Sequence, residues 1–239
     1  MATSGTTTWS LNRDQVISAA LRKLAVLSGG SSPETYQVTD ATQALNAMLK
    51  GFQTDGMPLW AVKSYTFTTV IGTNSYVIGI GQTLVTDAPL KITQAWRNQG
   101  TSVNVPMNIY TDYNYNLLPQ NNNSGPPINL YYQPKNQTGQ INLWPIPDDD
   151  TTTITIRYQR PFEDMTSATD DFDFPSYWTE AIIYGLAKRL APEFGVPLQD
   201  RILLAQEAKE FKDEALSFGT EEGSLYLQPD WSGQRYGLQ

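Results

Sequence analysis

The chain has 239 residues, enough for one large domain or two small ones, and its hydrophobic fraction of 40% is ordinary for a folded globular protein. It contains neither cysteine nor histidine, which excludes disulfides, thiolate nucleophiles, Cys/His zinc sites and Ser-His-Asp triads, and lowers the expectation of an enzyme. The net charge of −8 disfavours tight binding of DNA or RNA, because a negative surface repels the phosphate backbone.

The first predicted element is an amphipathic helix that follows Asn12. Asn12 is a plausible N-cap, and Gln15 three residues later completes an approximate capping box. Apolar residues recur at three- and four-residue spacings as far as Leu27, which predicts one buried face. Gly29 and Gly30 supply the left-handed conformation that is expected to end this helix.

A second helix is predicted in the segment "TDATQALNAMLKGFQTDG". We expect Thr39 to be its N-cap and Gly56 to stop it. The connection between the two helices is short, so the helices are expected to pack side by side.

The hydrophobic period then changes to two, which predicts a β region over residues 64–161. The segments "SYTFTTV" and "SYVIGI" flank "GTN", which favours a hairpin, and a second hairpin is expected to turn at residues 98–100. The segment "IYTDYNYNLLPQ" leaves a strand and a short helix both open. Three strands rich in Thr, Ile and Tyr complete the region, in "INLYYQ", "GQINLWPIP" and "TTTITIRYQRP".

Two further helices are predicted after residue 161. Ser176 or Asp173 is expected to cap the first of them. The second has an apolar stripe from Leu204 to Phe218 and a charged opposite face. The first helix has apolar residues at strict four-residue steps, namely Trp178, Ile182, Leu186 and Leu190.

This element order predicts an α+β fold. We expect a helical base of residues 1–63 and 162–218, because neither terminal helix pair can easily bury its apolar stripe alone. An antiparallel, β-sandwich-like domain of residues 64–161 is inserted into it, and residues 219–239 form an extended C-terminal tail.

The acidic run of Asp148, Asp149 and Asp150 invites comparison with a glycosidase or a divalent-metal site. Pro145 and Pro147 cannot donate to a sheet ladder, so a strand should end there and a turn should follow. Neighbouring side chains in a turn diverge, whereas a glycosidase needs two carboxyl groups facing each other across a cleft. The run is therefore interpreted as a solvated turn.

Asp170, Asp171 and Asp173 precede a predicted helix, where capping is favoured over metal binding. No cofactor is predicted.

The C-terminal tail combines Gly, Pro and Ser with large apolar residues, which are the anchors typical of a protein interface. Docking on a partner is favoured over folding back on the same chain. The candidate anchors are Leu225, Tyr226, Leu227, Trp231 and Tyr236.

Several segments, taken in order, resemble a known family. They include "ISAALRKLAVLSGG", "DATQALNAMLKGFQTDGMPLWAV", "GQINLWPIPDDDTTTITIRYQRPFEDM" and "DDFDFPSYWTEAIIYGLAKRLAPEFGVP". Together they are similar to the head-to-tail adaptors of short-tailed bacteriophages, the head-completion or packaged-DNA-stabilisation family related to tail tubular protein A. The resemblance covers residues 12–218.

The resemblance implies a structural virion protein that forms a ring of twelve copies below the portal, retains packaged DNA and presents the next ring of the tail. Portal binding is then expected of the five tail anchors. The loops of the β domain, with Asn121, Asn122, Asn123 and the acidic run 148–150, are expected to face the tail hub, and a tail fibre or spike is a possible further partner. Double-stranded DNA would pass through the lumen without tight binding.

Two other functions stay open at this point. One is a peptidoglycan hydrolase that uses carboxylates such as Glu163 and Glu180. The other is a receptor- or glycan-binding β module in residues 64–161. The N-terminus lacks the pattern of a secretory signal, and no apolar run of about 20 residues is present, so synthesis in a cytoplasm and no membrane partner are expected. The resemblance implies that this cytoplasm is that of the bacterial host and that the protein is incorporated in the virion.

Overall fold

The computed structural model of the chain describes residues 5, 9–54, 59–98, 100, 103–119 and 123–219. Within these residues, two helices at each end of the chain flank a region of eight strands that contains one short helix. The helices are α1 (Arg13–Lys23), α2 (Thr35–Phe52), α3 (Asp112–Asn116), α4 (Thr179–Leu190) and α5 (Leu198–Phe218). The strands are β1 (Val62–Thr68), β2 (Ser75–Ile78), β3 (Lys91–Asn98), β4 (Val105–Pro106), β5 (Asn108–Tyr110), β6 (Asn129–Pro134), β7 (Gly139–Trp144) and β8 (Thr153–Gln159).

Helix α1 begins with the expected capping box. The side chain of Asn12 accepts a hydrogen bond from the backbone N–H of Gln15 at 2.9 Å, and the Asn12 N–H donates to Gln15 Oε1 at 3.0 Å. Two backbone donors that a helix start leaves without partners are thereby satisfied. This part of the sequence prediction is confirmed.

The end of α1 differs from the prediction. The helix stops at Lys23, and Ala25 takes a left-handed φ of 56°. The Val26 N–H then donates to the Leu21 carbonyl at 3.1 Å, the pattern of a Schellman cap. The expectation that Gly29 and Gly30 end the helix was wrong. The chain leaves the helix after residue 24, and the residues that follow pack on the core from a non-helical turn.

Replacing Ala25 by glycine is expected to raise the free energy of unfolding by about 0.5–1 kcal/mol. Left-handed geometry costs alanine about 1–2 kcal/mol, and the greater entropy of an unfolded glycine offsets part of the gain. Chemical denaturation of both proteins measures the difference. The matched control is Ala19→Gly in the interior of the same helix, which should instead destabilise by about 1 kcal/mol.

Helix α2 starts one turn earlier than expected. The backbone N–H of Glu34 donates to Gln37 Oε1 at 2.9 Å, which caps the helix at residue 34. Thr39 therefore lies inside the helix, where its hydroxyl donates to the carbonyl of Thr35 at 3.0 Å. The assignment of Thr39 as N-cap was wrong, and Gly56 lies outside the described residues.

Helices α1, α2, α4 and α5 contribute to one hydrophobic core, with α4 contacting each of the other three. The four-residue repeat that begins just before α4 and continues through it places four residues in this core, each 2% exposed or less, namely Trp178, Ile182, Leu186 and Leu190. An amphipathic helix buries such a stripe because its apolar side chains recur on one face. Helix α5 packs mainly on α4, so much of its remaining surface is exposed.

The strands form two four-stranded sheets, in the orders β1-β8-β3-β4 and β2-β7-β6-β5. A second hydrophobic core, separate from the helical one, lies between them and contains Phe67, Ile92, Leu130, Ile141 and Ile156. Two sheets that bury their inner faces against each other form a β-sandwich. The predicted α+β class is confirmed.

The first expected hairpin is absent, because β1 pairs with β8 while β2 pairs with β7 in the other sheet. Residues 69–74 cross between the sheets. The hydroxyl of Tyr76, which belongs to β2, holds this connection: it accepts a hydrogen bond from the Val70 N–H at 2.9 Å and donates one to the Thr73 carbonyl at 3.0 Å. The Phe67 and Tyr76 rings lie 5.2 Å apart, so both strands bury their apolar side chains in the shared core and not side by side in one sheet.

The sandwich is also not wholly antiparallel, since β5 and β6 run parallel. A parallel pair needs a long crossover, and residues 111–128 supply it. This segment contains α3, so the open choice at "IYTDYNYNLLPQ" resolves to a short helix between a strand and a loop. The second expected hairpin is confirmed by the antiparallel pairing of β3 with β4, but Asn98 still belongs to β3, so the connection spans residues 99–104 and not 98–100.

Gly139, the first residue of β7, is a position where the fold requires glycine. A Cβ atom there would lie 2.3 Å from the hydroxyl of Tyr132, which donates to the carbonyl of Pro89. Burial raises the pKa of Tyr132 to about 12, so this phenol remains a neutral donor at physiological pH.

Gly139→Ala is therefore expected to lower the free energy of unfolding by about 1–3 kcal/mol, as overpacking of a buried site does. Chemical denaturation measures the loss. In the Tyr132→Ala background the same change should cost much less, because the atoms that clash have been removed. An equal cost in both backgrounds would contradict the assigned clash.

Candidate assembly surfaces

The sandwich has one end next to the helices and one end remote from them. Thr68 of β1 and Asn98 of β3 both pair with Thr153 of β8, which places these strand ends together at the remote end. We call this the loop end; it comprises the described parts of connections 69–74, 99–104, 117–127 and 145–152. A seven-residue strand spans about 20 Å, so the loop end lies about that far from the helices.

The acidic run forms a turn at the loop end, as expected. One carboxylate oxygen of Asp149 accepts hydrogen bonds from the backbone N–H groups of Thr151, at 3.0 Å, and Thr152, at 2.7 Å. Aspartate commonly stabilises a turn in this way. Asp148 and Asp150 are exposed on either side of it.

Asn123 lies next to this turn. Its carbonyl accepts from the Ile146 N–H at 2.9 Å, and the Gly125 N–H donates to the Ile146 carbonyl at 2.8 Å. Asn123 and the acidic run therefore belong to one surface, whereas Asn121 and Asn122 lie outside the described residues.

Two apolar side chains that sequence reasoning missed also lie at the loop end. Val70 is 55% exposed and Ile71 is 58% exposed. The neighbouring Gly72 N–H donates to the Pro147 carbonyl at 2.9 Å, which fixes this connection against the acidic one. The surrounding sequence, "TTVIGTN", resembles the end of a strand. The exposure of Val70 and Ile71 becomes evident only because residues 69–74 cross from one sheet to the other.

The sandwich joins the helices through an aromatic cluster. Trp60 stacks on Phe162, with ring centroids 5.0 Å apart, and contacts Phe174 at 4.9 Å. The Arg160 guanidinium lies over the Trp60 ring at 5.7 Å and forms a two-pronged ion pair with Asp173. The hydrogen bonds to Asp173 raise the pKa of Arg160 above its ordinary value despite burial. We call these five residues the joint.

Asp173 therefore does not cap α4, and neither does Ser176. A short 3-10 turn, Ser176–Trp178, precedes α4, and the Thr179 hydroxyl donates to the Ser176 carbonyl at 2.7 Å. The prediction was wrong because Arg160, distant in sequence, binds the Asp173 carboxylate.

The other two aspartates of this segment do not cap α4 either. Asp170 accepts from the N–H groups of Ser167, at 2.6 Å, and Thr166, at 2.8 Å, and these bonds lower its pKa. Asp171 forms a backbone bridge with Asn12. The segment thus folds against the start of α1.

The proposed hydrolase residues occupy different environments. The Glu163 N–H faces the Asp173 carboxylate at 3.5 Å, while Glu180 lies in the first turn of α4, on the side that faces Lys23. Among the described residues, no group of three or more Asp and Glu side chains is arranged to hold a metal ion. Glu163 and Glu180 thus lie on separate elements and share no contact that would define a cleft.

The five candidate portal-binding residues, Leu225, Tyr226, Leu227, Trp231 and Tyr236, lie outside the described residues. No helix in the described part of the chain is long and apolar enough to cross a membrane.

Comparison with known proteins adds a family match that spans most of the chain. The model of a family described as SU10 adaptor protein matches residues 11–226, a range that includes all the helices, both sheets and the joint. A solved structure described as the neck of an empty GTA particle computed with C6 symmetry matches with 13% sequence identity and a TM-score of 0.27, over 76% of this chain and 80% of the other. That likeness is too remote to define the fold. No curated protein matches the chain.

Proposed function

Because this chain belongs to the SU10 adaptor protein family, and is thus a structural protein of the phage neck and not an enzyme, we propose that its copies form a ring between the portal and the tail. The match over residues 11–226 carries this proposal. It leaves no role for Glu163 and Glu180 as hydrolase carboxylates.

In this proposal the ring has about twelve copies, as expected for short-tailed phages, and the helices form the base that sits on the portal. The loop end, with Asn121, Asn122, Asn123 and the acidic run 148–150, faces the next ring of the tail. The contact between residues 123–125 and Ile146 supports treating Asn123 and the acidic run as one surface. The exposed Val70 and Ile71 add an apolar centre to it.

The C-terminal tail would dock on the portal through Leu225, Tyr226, Leu227, Trp231 and Tyr236. Large aromatic and aliphatic side chains are suited to this, because such residues are the anchors typical of protein interfaces. The net charge of −8 supports a channel that retains and conducts double-stranded DNA without gripping it. Synthesis in the host cytoplasm and assembly into the virion follow from the same proposal.

The test is mass photometry of the purified protein, alone and with the portal of the same phage. Full-length protein should add about one chain per portal subunit. A variant that ends at Gly219 should retain the far-ultraviolet circular dichroism and melting temperature of the full chain but fail to assemble on the portal.

A point variant, Trp231→Ala with Tyr236→Ala, controls for the loss of chain length and should weaken assembly without removing any residue. A truncated protein that still assembles would refute the role of the tail. Full-length protein that binds no portal in any form would refute the adaptor proposal itself.

A further inference from the structure

The helical part of this acidic protein contains a concentrated basic groove. It lies between the C-terminal part of α2 and helices α4 and α5, and has a volume of about 720 Å³. Its floor is apolar, with Met48, Phe52 and Ala208, while one carboxylate, Asp213, lies at its margin. Four cationic side chains line it, namely Lys188, Arg189, Lys209 and Lys212.

The floor of the groove is closely packed. A Cβ atom at Gly185 would lie 2.8 Å from the sulfur of Met48, so α2 and α4 approach each other closely at this glycine. Lys212 lies over the Phe52 ring at 5.1 Å and thereby fixes the flank of α5 that faces α2. Lys188 and Lys209 are exposed and form no ion pair with a carboxylate of the described residues.

The opposite flank of α5 is acidic. At 100° per residue, the mean direction of Glu207, Glu210 and Glu214 lies about 160° around the helix from the mean direction of Lys209 and Lys212. This acidic flank faces the α1 side, where the Phe211 ring lies 4.8 Å from Tyr184 and Tyr184 accepts a hydrogen bond from Lys23. Glu180 lies on the same side, and the charges of Glu180 and Glu207 both contribute, after the hydrogen bond to Tyr184, to the raised pKa of Lys23.

A helix with a basic groove on one flank and an acidic surface on the other suits a head-to-tail contact, in which the basic side of one copy meets the acidic side of the next. Such heterologous contacts between identical subunits close into rings when the rotation between copies is suitable. Resting on the ring proposed above, we propose that the basic groove of each copy receives the acidic flank of α5 of the next copy. The ring contact would then be set by Lys188, Arg189 and Lys209 on one side and by Glu207, Glu210 and Glu214 on the other.

Duplex DNA is the competing ligand for a basic groove, and the structure favours the second copy. A phosphate backbone would contact the basic rim of the groove but gain little from its apolar floor. A glutamate side chain of the α5 flank has both a carboxylate, which can contact the basic rim, and methylene groups, which can contact the floor. Charge complementarity across such a contact also aligns the subunits before they dock.

The test uses two charge-reversal variants of the full chain, both at exposed positions. Lys188→Glu with Lys209→Glu reverses the groove, and Glu210→Lys with Glu214→Lys reverses the flank. Each variant alone should lose ring formation by mass photometry, under the condition, with or without the portal, in which wild type forms rings. Circular dichroism melting should match wild type, because none of these side chains is in a core.

Recombining the charges gives the specific result. The chain that carries all four reversals should regain rings, and an equimolar mixture of the two variants should form rings with an even number of alternating copies. Lys91→Glu with Lys135→Glu, on the sandwich, makes the same change in net charge as the groove variant and should leave rings intact.

The outcomes separate this inference from the proposed function. Rings that survive both reversals would overturn the inference and leave the adaptor ring standing. If wild type forms no ring alone or with the portal, both fail. Loss of duplex DNA binding in the groove variant, with rings unchanged, would assign the groove to DNA and overturn the inference.

Discussion

Replacing Trp178 by alanine is expected to lower the free energy of unfolding by about 3–5 kcal/mol, the cost of a large cavity in a closely packed core. The indole is 2% exposed and lies where the helical core meets the joint. Its ring contacts Phe174 at 5.6 Å, Phe52 at 5.7 Å and Trp60 at 6.4 Å. The change removes packing from the helices and from their contact with the sandwich together. Urea denaturation monitored by circular dichroism measures the loss.

Trp178→Phe is the matched control and should cost about 1 kcal/mol, near the low end for a core substitution that preserves most of the volume. The buried Trp178 Nε1–H has no hydrogen-bond partner among the described residues. Phenylalanine therefore loses ring area but no hydrogen bond. If the phenylalanine variant were as unstable as the alanine variant, the indole would owe its effect to a polar contact and not to packing.

Asp173→Asn is expected to destabilise the protein by about 3 kcal/mol, because it leaves the guanidinium of Arg160 buried without its counterion. The Arg160 side chain is only 9% exposed and that of Asp173 is 20% exposed, so water replaces little of the lost interaction. The Glu163 N–H, which faces the same carboxylate, also loses its charged partner. Thermal and chemical denaturation both measure the change.

Asp171→Asn provides a control two residues away and should change stability by less than about 0.5 kcal/mol, as for most exposed substitutions. Removing both charges by Arg160→Met with Asp173→Leu should recover much of the lost stability, since an apolar replacement avoids the cost of an unpaired buried charge. If Asp173→Asn and the double variant were equally unstable, the effect would come from altered packing of the joint.

Local features of this fold were predictable from sequence because they depend on neighbouring residues. The Asn12 capping box, the α4 stripe and the turn at Asp149 each depend on side chains within a few positions of one another. The end of α1 failed although it is also local, because alanine at residue 25 adopts a conformation usually left to glycine.

Other features depend on residues far apart in the chain. A period of two predicts that β1 and β2 are strands, but only the packing of two inner faces places them in different sheets. Asp173 has the sequence context of a helix cap, and its partner Arg160 becomes evident only when the joint has formed. The charge segregation of α5 is visible in its sequence, yet the groove also needs Lys188 and Arg189 from α4.

The sandwich is connected to the helices at two neighbouring points. Val62 at the start of β1 pairs with Gln159 at the end of β8, and the Arg160 N–H donates to the Ala61 carbonyl at 3.0 Å. Paired strands lie about 5 Å apart, so the inserted region begins and ends almost at the same place. Recombination could therefore replace the whole β region, with its loops and α3, without moving α1, α2, α4 or α5. Under the proposed function, such modularity would allow the protein to acquire a new surface at the loop end while the proposed ring contacts of the helices are conserved.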